Sequence, residues 1–158
     1  MITRRSNGFT SPGEALRRHW SSQNVDINQG VSAAELAAFE ARQDVLLPSD
    51  FRDYFLCVNG MPPDSVDDAM IRFWMLEEVR SICEGAPEYS KPDYIDTPES
   101  FYLFADYSLW AHAYVIRLGN MPSTSNEVAI IGHQSPVIVA NSFSEFIDIY
   151  LSDKNRLF

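Results

Sequence analysis

Residues 32–60 read SAAELAAFEARQDVLLPSDFRDYFLCVNG, and this stretch decides the fold. Ser32-Ala33-Ala34-Glu35 has the spacing of a capping box: the serine accepts from the Glu35 amide and the glutamate reaches back to the Ser32 amide. Leu36 and Phe39 follow three apart on one helical face, with small alanines beside them that allow close packing. Pro48 cannot continue a helix but suits the first turn of the next. Phe51, Tyr54, Phe55 and Val58 then recur at i, i+3, i+4 and i+7, a single apolar face. Asn59-Gly60 closes the second helix, since both residues tolerate a left-handed backbone. The stretch therefore predicts a pair of short amphipathic helices, and it specifies architecture rather than chemistry.

Upstream, residues 1–10 read as a loose tail, as chain ends often are. Ser11-Pro12-Gly13-Glu14 is another helix start, and Leu16 and Trp20 lie four apart on the helix it opens. Downstream, residues 61–69 (MPPDSVDDA) form a loop, 70–76 a strand, and 76–84 a short helix on which Val79, Ile82 and Cys83 share a face. Residues 85–99 hold three prolines and four acids, a loop long enough to be functional or mobile. The period then changes. SFYLFAD (100–106), WAHAYVIRL (110–118), EVAII (127–131) and PVIVA (136–140) are short runs rich in aromatic and β-branched residues. Their short links favour an antiparallel meander and leave no room for helical crossovers. Ser142 and Glu145 open a last helix, with Phe143, Phe146, Ile147, Tyr150 and Leu151 on one stripe. The expected fold is α+β: N-terminal helices, an antiparallel, mostly meander sheet of about four to six strands, and a C-terminal amphipathic helix on the sheet. Residues 11–158 are expected to form one domain.

At 158 residues the chain suits one domain able to bury roughly 70% of its unfolded surface. A hydrophobic content of 46% argues against disorder. The formal charge of −10, from 22 acids and 12 bases, disfavours direct nucleic-acid binding, which rewards Lys/Arg clusters. An acidic surface keeps a domain soluble or attracts a basic protein. No apolar run reaches signal-peptide or membrane-span length, so a cytoplasmic protein is expected. Cys57 and Cys83 fall in helical patterns and are expected as reduced thiols, Cys57 in the core; sequence leaves their pairing in space open.

Few residues point to catalysis. His112 shares a strand face with Trp110 and Tyr114 and reads as a packed structural residue or a base. Asp106 ends a strand and reads as a turn cap or a general acid or base. A hydrolase using Asp106 and His112 would need both in one pocket within reach of a substrate. His19 and His133 add no metal spacing, CxxC is absent, and no P-loop, GxGxxG or GxSxG occurs. Neither a cofactor nor a metal is expected. Aromatics set among loop acids are the better candidates: Asp64, Asp67 and Asp68 in the first loop, Tyr94 and Asp96 in the second, then Asp106, Tyr107 and Trp110. Aromatics supply hot-spot area and acids steer and pair with Arg or Lys. The plainer reading is that the tyrosines cover a sheet edge and the acids are solvated.

Gly30, Ser32, Glu35, Phe39-Glu40, Leu47-Pro48, Asp50-Phe51, Tyr54-Phe55 and Asn59-Gly60 together resemble the ordered core pattern of the SUKH superfamily. The 140–151 segment, with Phe143, Phe146, Tyr150 and Leu151, is similar to the family's closing strand-turn-helix element. Residues 101–106 and 110–118 resemble its paired central strands. The likeness spans roughly residues 30–151 and is loose over 61–99. One departure stands out: many members have a glycine-rich turn after the first central strand, where this chain has Asp106-Tyr107-Ser108-Leu109. The resemblance implies a non-catalytic α+β domain. It further implies either a cytoplasmic immunity protein that binds a cognate toxin, such as a nuclease or deaminase, or a regulatory scaffold of the cell-wall-synthesis type. The partner it implies is a protein, here a basic toxin domain; nothing in the sequence sets the oligomeric state, and a monomer is expected.

Overall fold

In the computed structural model, residues 10–122 and 125–158 are described. Three helices come first: α1 (Pro12–Ser22), α2 (Ala33–Gln43) and α3 (Ser49–Cys57). The Ser11 side chain accepts from the Glu14 amide, and Ser32 and Glu35 form the full reciprocal box. Pro48 is the N-cap of α3, one position before the first helical residue. The tail expected over residues 1–10 lies outside the described residues apart from Thr10.

Six strands form one antiparallel sheet: β1 (Ile71–Phe73), β2 (Arg80–Ser81), β3 (Phe101–Tyr107), β4 (His112–Arg117), β5 (Val128–Ile131) and β6 (Val137–Ala140). β3 to β6 run as a meander, and β1 and β2 follow one another along the other edge of β3. α5 (Phe143–Ser152) closes the fold; Ser142 accepts from the Glu145 amide, while the Glu145 carboxylate accepts from Asn141.

Two details correct the sequence reading. The single helix expected over 76–84 is broken. Leu76–Glu78 is a 3-10 turn, Arg80–Ser81 pairs with β3, and a short helix, α4 (Ile82–Gly85), follows. Pairing with Leu103 and Tyr102 overrides the weak helical periodicity there. The first strand is also shorter than 70–76: Met70 adopts φ 66°, and Trp74 leaves the strand after donating to the Phe104 carbonyl at 2.8 Å.

Both faces of the sheet are covered, which is why β3 and β4 read as near-continuous apolar runs rather than alternating ones. α1, α3 and α5 cover one face through an aromatic core. Phe51 lies 4.9 Å from Phe55 and Phe143, and Phe104 lies 5.3 Å from Phe146. A smaller core of Trp74, Ile82, Ile95, Leu103, Val115 and Ile131 lies on the other face under the 85–99 segment. A bulge between Leu103 and Ala105 resets the alternation of β3. It turns Asp106 toward the second core and Tyr107 toward the helices.

The segment before α2 explains one glycine of the sequence pattern. Val31 donates to the Phe55 carbonyl at 2.9 Å and Gln29 bridges Val58, clamping this segment across the end of α3. A Cβ on Gly30 would sit 2.0 Å from the Leu56 carbonyl oxygen, which is backbone and cannot swing away. Gly30→Ala is expected to cost about 2 kcal/mol, read as a lower urea midpoint at unchanged slope.

Candidate functional site

The end of the sheet where β3 turns into β4 collects most of the unusual chemistry. The turn residues Ser108, Leu109 and Trp110 all have left-handed backbone, with φ of 48°, 55° and 72°. Left-handed backbone costs a non-glycine residue roughly 1–2 kcal/mol, and consecutive cases are held only where surrounding contacts fix them. Here the Ala111 amide closes the turn onto the Tyr107 carbonyl at 2.9 Å, and the Ser108 amide donates to Met70 of the neighbouring loop at 2.9 Å. The result is display: Leu109 is 85% exposed and Trp110 43%. Behind them the Trp110 ring lies 5.1 Å from that of Trp74, which is 3% exposed and donates its Nε1–H to Asp106 at 2.7 Å.

A cavity of about 290 Å³ opens beside this tip. Asp106, Leu109 and Trp110 form one wall; Pro63, Asp64 and Val66 of the preceding loop form the other, with Arg72 at the base. Arg72 is directly opposite Asp106 in register, yet its guanidinium turns to Glu78 at 2.6 Å and to the Met61 and Pro62 carbonyls at 3.2 and 3.1 Å. A larger hollow of about 570 Å³, at Leu46, Pro48, Arg52 and Met121, touches none of the candidate residues.

The candidates thus fall into separate groups. Asp64, Asp106 and Trp110 meet at this cavity. Asp68 is exposed nearby and pairs with Lys154 at 3.1 Å, a contact that holds its carboxyl below the usual range. Asp67 is not a surface acid: it is 4% exposed and fixes the fold, accepting from the Ala69 and Ile71 amides at 2.8 and 2.9 Å and from the Tyr150 hydroxyl. Asp106 is likewise buried, at 6% exposure, and lines the cavity. Tyr94 and Asp96 belong to another region. The Tyr94 hydroxyl donates to the His133 carbonyl at 3.0 Å and accepts from the Gly132 amide at 3.2 Å, tying the 85–99 segment to the β5–β6 turn. Tyr107 is partly buried, its ring 4.6 Å from His112 and 4.8 Å from Phe158. Leu109, Arg72 and Trp74 escaped the sequence reading; an arginine inside the apolar run MIRFW was the available signal for one of them.

Asp106 and His112 do not form a catalytic pair. The bulge sends Asp106 to Trp74 on one face, whereas His112 stacks on Tyr107 and hydrogen-bonds Tyr114 at 3.0 Å on the other. Burial, then the neighbouring His133, lowers the His112 pKa below 6.5. A histidine held neutral in the fold binds a proton more readily when unfolded, so stability falls as pH drops from about 7 through 6.5 toward the folded value. Urea midpoints between pH 8 and 5 should show that decline, and His112→Gln should flatten its upper part. Among the described residues no group of three or more His, Cys, Asp or Glu side chains is placed to hold a metal ion, and both cysteines are free, Cys57 partly buried and Cys83 exposed. No helix among them is long and apolar enough to cross a membrane.

The SMI1 / KNR4 family (SUKH-1) model matches residues 30–149. The chain belongs to the SMI1/KNR4 (SUKH-1) family. No curated protein matches it significantly. Within this SUKH-1 domain the matched span runs from the clamp at Gly30 into α5 and contains both walls of the cavity. The left-handed tip Ser108–Leu109–Trp110 also lies within the matched span.

Proposed function

We propose that this SUKH-1 domain is a non-catalytic protein-binding module, and specifically a cytoplasmic immunity protein that neutralises a basic toxin domain, such as a nuclease or deaminase. The observation that carries the reading is the β3–β4 tip. An exposed leucine and tryptophan, held in costly backbone geometry above a buried tryptophan, make a rigid anchor of the kind found at interface centres. Exposed Asp64 and Asp68 flank it, and the chain carries −10 overall. That charge favours encounter with a cationic surface and repels nucleic acid. Masking the basic, nucleic-acid-facing side of a toxin would suffice to block it without any bond being broken.

The test is co-expression with a toxin-like domain encoded beside this chain, scored by rescue of growth and by copurification. Rescue through a stable complex supports the reading; rescue without complex formation, or none, removes it. The electrostatic part has its own check. Raising salt from about 50 to 500 mM shortens the Debye length from roughly 14 to 4 Å, so affinity measured by calorimetry is expected to fall at least tenfold. An affinity unchanged across that range would show that the acids do not steer binding.

A further inference from the structure

We propose that the cavity beside Trp110 receives one arginine side chain of a protein partner, its guanidinium stacked on the Trp110 indole and paired with the carboxylates of Asp106 and Asp64. The inference deepens the protein-binding reading above and rests on it. Asp106 is the first reason. It is a nine-tenths-buried carboxylate whose Oδ2 is held by Trp74, and its other oxygen accepts no hydrogen bond from the described residues although the group lines the cavity. A buried charge so sparsely bonded is a strong acceptor for a donor entering from outside. The cation that faces it across the strands, Arg72, is already taken up by Glu78 and two carbonyls and makes no ion pair with it.

Size and shape narrow the occupant. A volume of about 290 Å³ falls at the lower edge of the roughly 300–1,000 Å³ of small-molecule sites; it suits one long side chain inserted as an anchor. Arginine fits better than lysine. A planar guanidinium can lie on an indole face while its fork meets two carboxylates, whereas an ammonium ion is a strongly hydrated point charge. The exposed position of Asp64 at the rim lets it meet the incoming charge first, and Asp106 receives it below.

The probe is the capped tripeptide Gly-Arg-Gly, titrated into the full chain while the indole N–H signals of Trp74 and Trp110 are followed by NMR. The counterparts carry lysine or the uncharged isostere citrulline in place of arginine. Saturable shifts with the arginine peptide are expected, at least fivefold weaker binding with lysine, and no saturation with citrulline over the same range. Asp64→Asn and Trp110→Ala should each weaken the arginine peptide at least fivefold. Asp106→Asn, which keeps an acceptor for Trp74, should do the same with the fold intact. Equal shifts from citrulline, or shifts indifferent to all three substitutions, would overturn the subsite. The two readings fail separately. Peptide binding in a chain that rescues no toxin-bearing cell leaves the arginine site standing and removes the immunity role. A toxin complex without the peptide response does the reverse.

Discussion

Asp67→Ala should destabilise the domain by about 4 kcal/mol. One carboxylate oxygen accepts the Ala69 and Ile71 amides at 2.8 and 2.9 Å and so shapes the loop that enters β1. The other accepts the Tyr150 hydroxyl, which itself accepts from Trp20 Nε1 at 2.8 Å, with Lys154 Nζ 3.8 Å away. The chain Trp20–Tyr150–Asp67 thus ties α1, α5 and the 61–70 loop together inside the core. Hydrogen bonds to a charged acceptor contribute about 1.5–3 kcal/mol each, and truncation leaves buried donors without their acceptor. For a domain of this size about 4 kcal/mol corresponds to roughly 8–16 °C in Tm. Asp67→Asn keeps an oxygen to accept from the two amides but puts a donor opposite the Tyr150 hydroxyl, and about half the loss is expected. A thermal scan of both variants decides the matter: an unchanged Tm for Asp67→Ala would mean that the network does not bear on stability. Charge reversal at Asp67 would therefore test folding rather than binding, and Asp64 is the acid to reverse when the surface is in question.

Asp67 also shows where the sequence stops being informative. In DSVDDAM it is indistinguishable from Asp68, since both are aspartates in a polar loop. What separates them is a tyrosine 83 residues away and the direction of one loop, which no local pattern encodes. Capping and amphipathic stripes, by contrast, are local, and the serine caps at Ser11, Ser32 and Ser142 and the stripes of α3 and α5 were legible for that reason. The same divide runs through the site. Trp110 and Asp64 could be picked out by residue type, but the bulge at Leu103/Ala105 that separates Asp106 from His112 leaves no signature in an apolar run. Nor could Leu109 be singled out, because its importance lies in a backbone angle and not in its side chain.

Trp110→Gly should lower affinity for the partner at least 100-fold and cost the fold about 2–3 kcal/mol. A tryptophan at the centre of an interface commonly carries 2 kcal/mol or more of binding energy, and a hundredfold loss corresponds to about 2.7 kcal/mol. The stability side is a partial offset: at 43% exposure more than half of the tryptophan is buried, an apolar burial that contributes about 2–3 kcal/mol. Removing the ring loses its contact with Trp74, a pair of the kind that adds about 0.5–1.5 kcal/mol. Glycine in turn relieves the left-handed strain at φ 72°, roughly 1–2 kcal/mol, against about 0.5–1 kcal/mol of extra unfolded-chain entropy. Leu109→Gly makes the cleaner partner experiment, because an 85% exposed side chain contributes almost nothing to the core. It should raise stability by about 0.5 kcal/mol by the same arithmetic and still weaken the complex measurably. A position that would fold better with glycine, yet holds an 85% exposed leucine, fits the trade-off between stability and function that the proposed docking role entails. If urea midpoints rise for Leu109→Gly and the complex stays as tight in both variants, the tip is merely strained and the docking surface lies elsewhere.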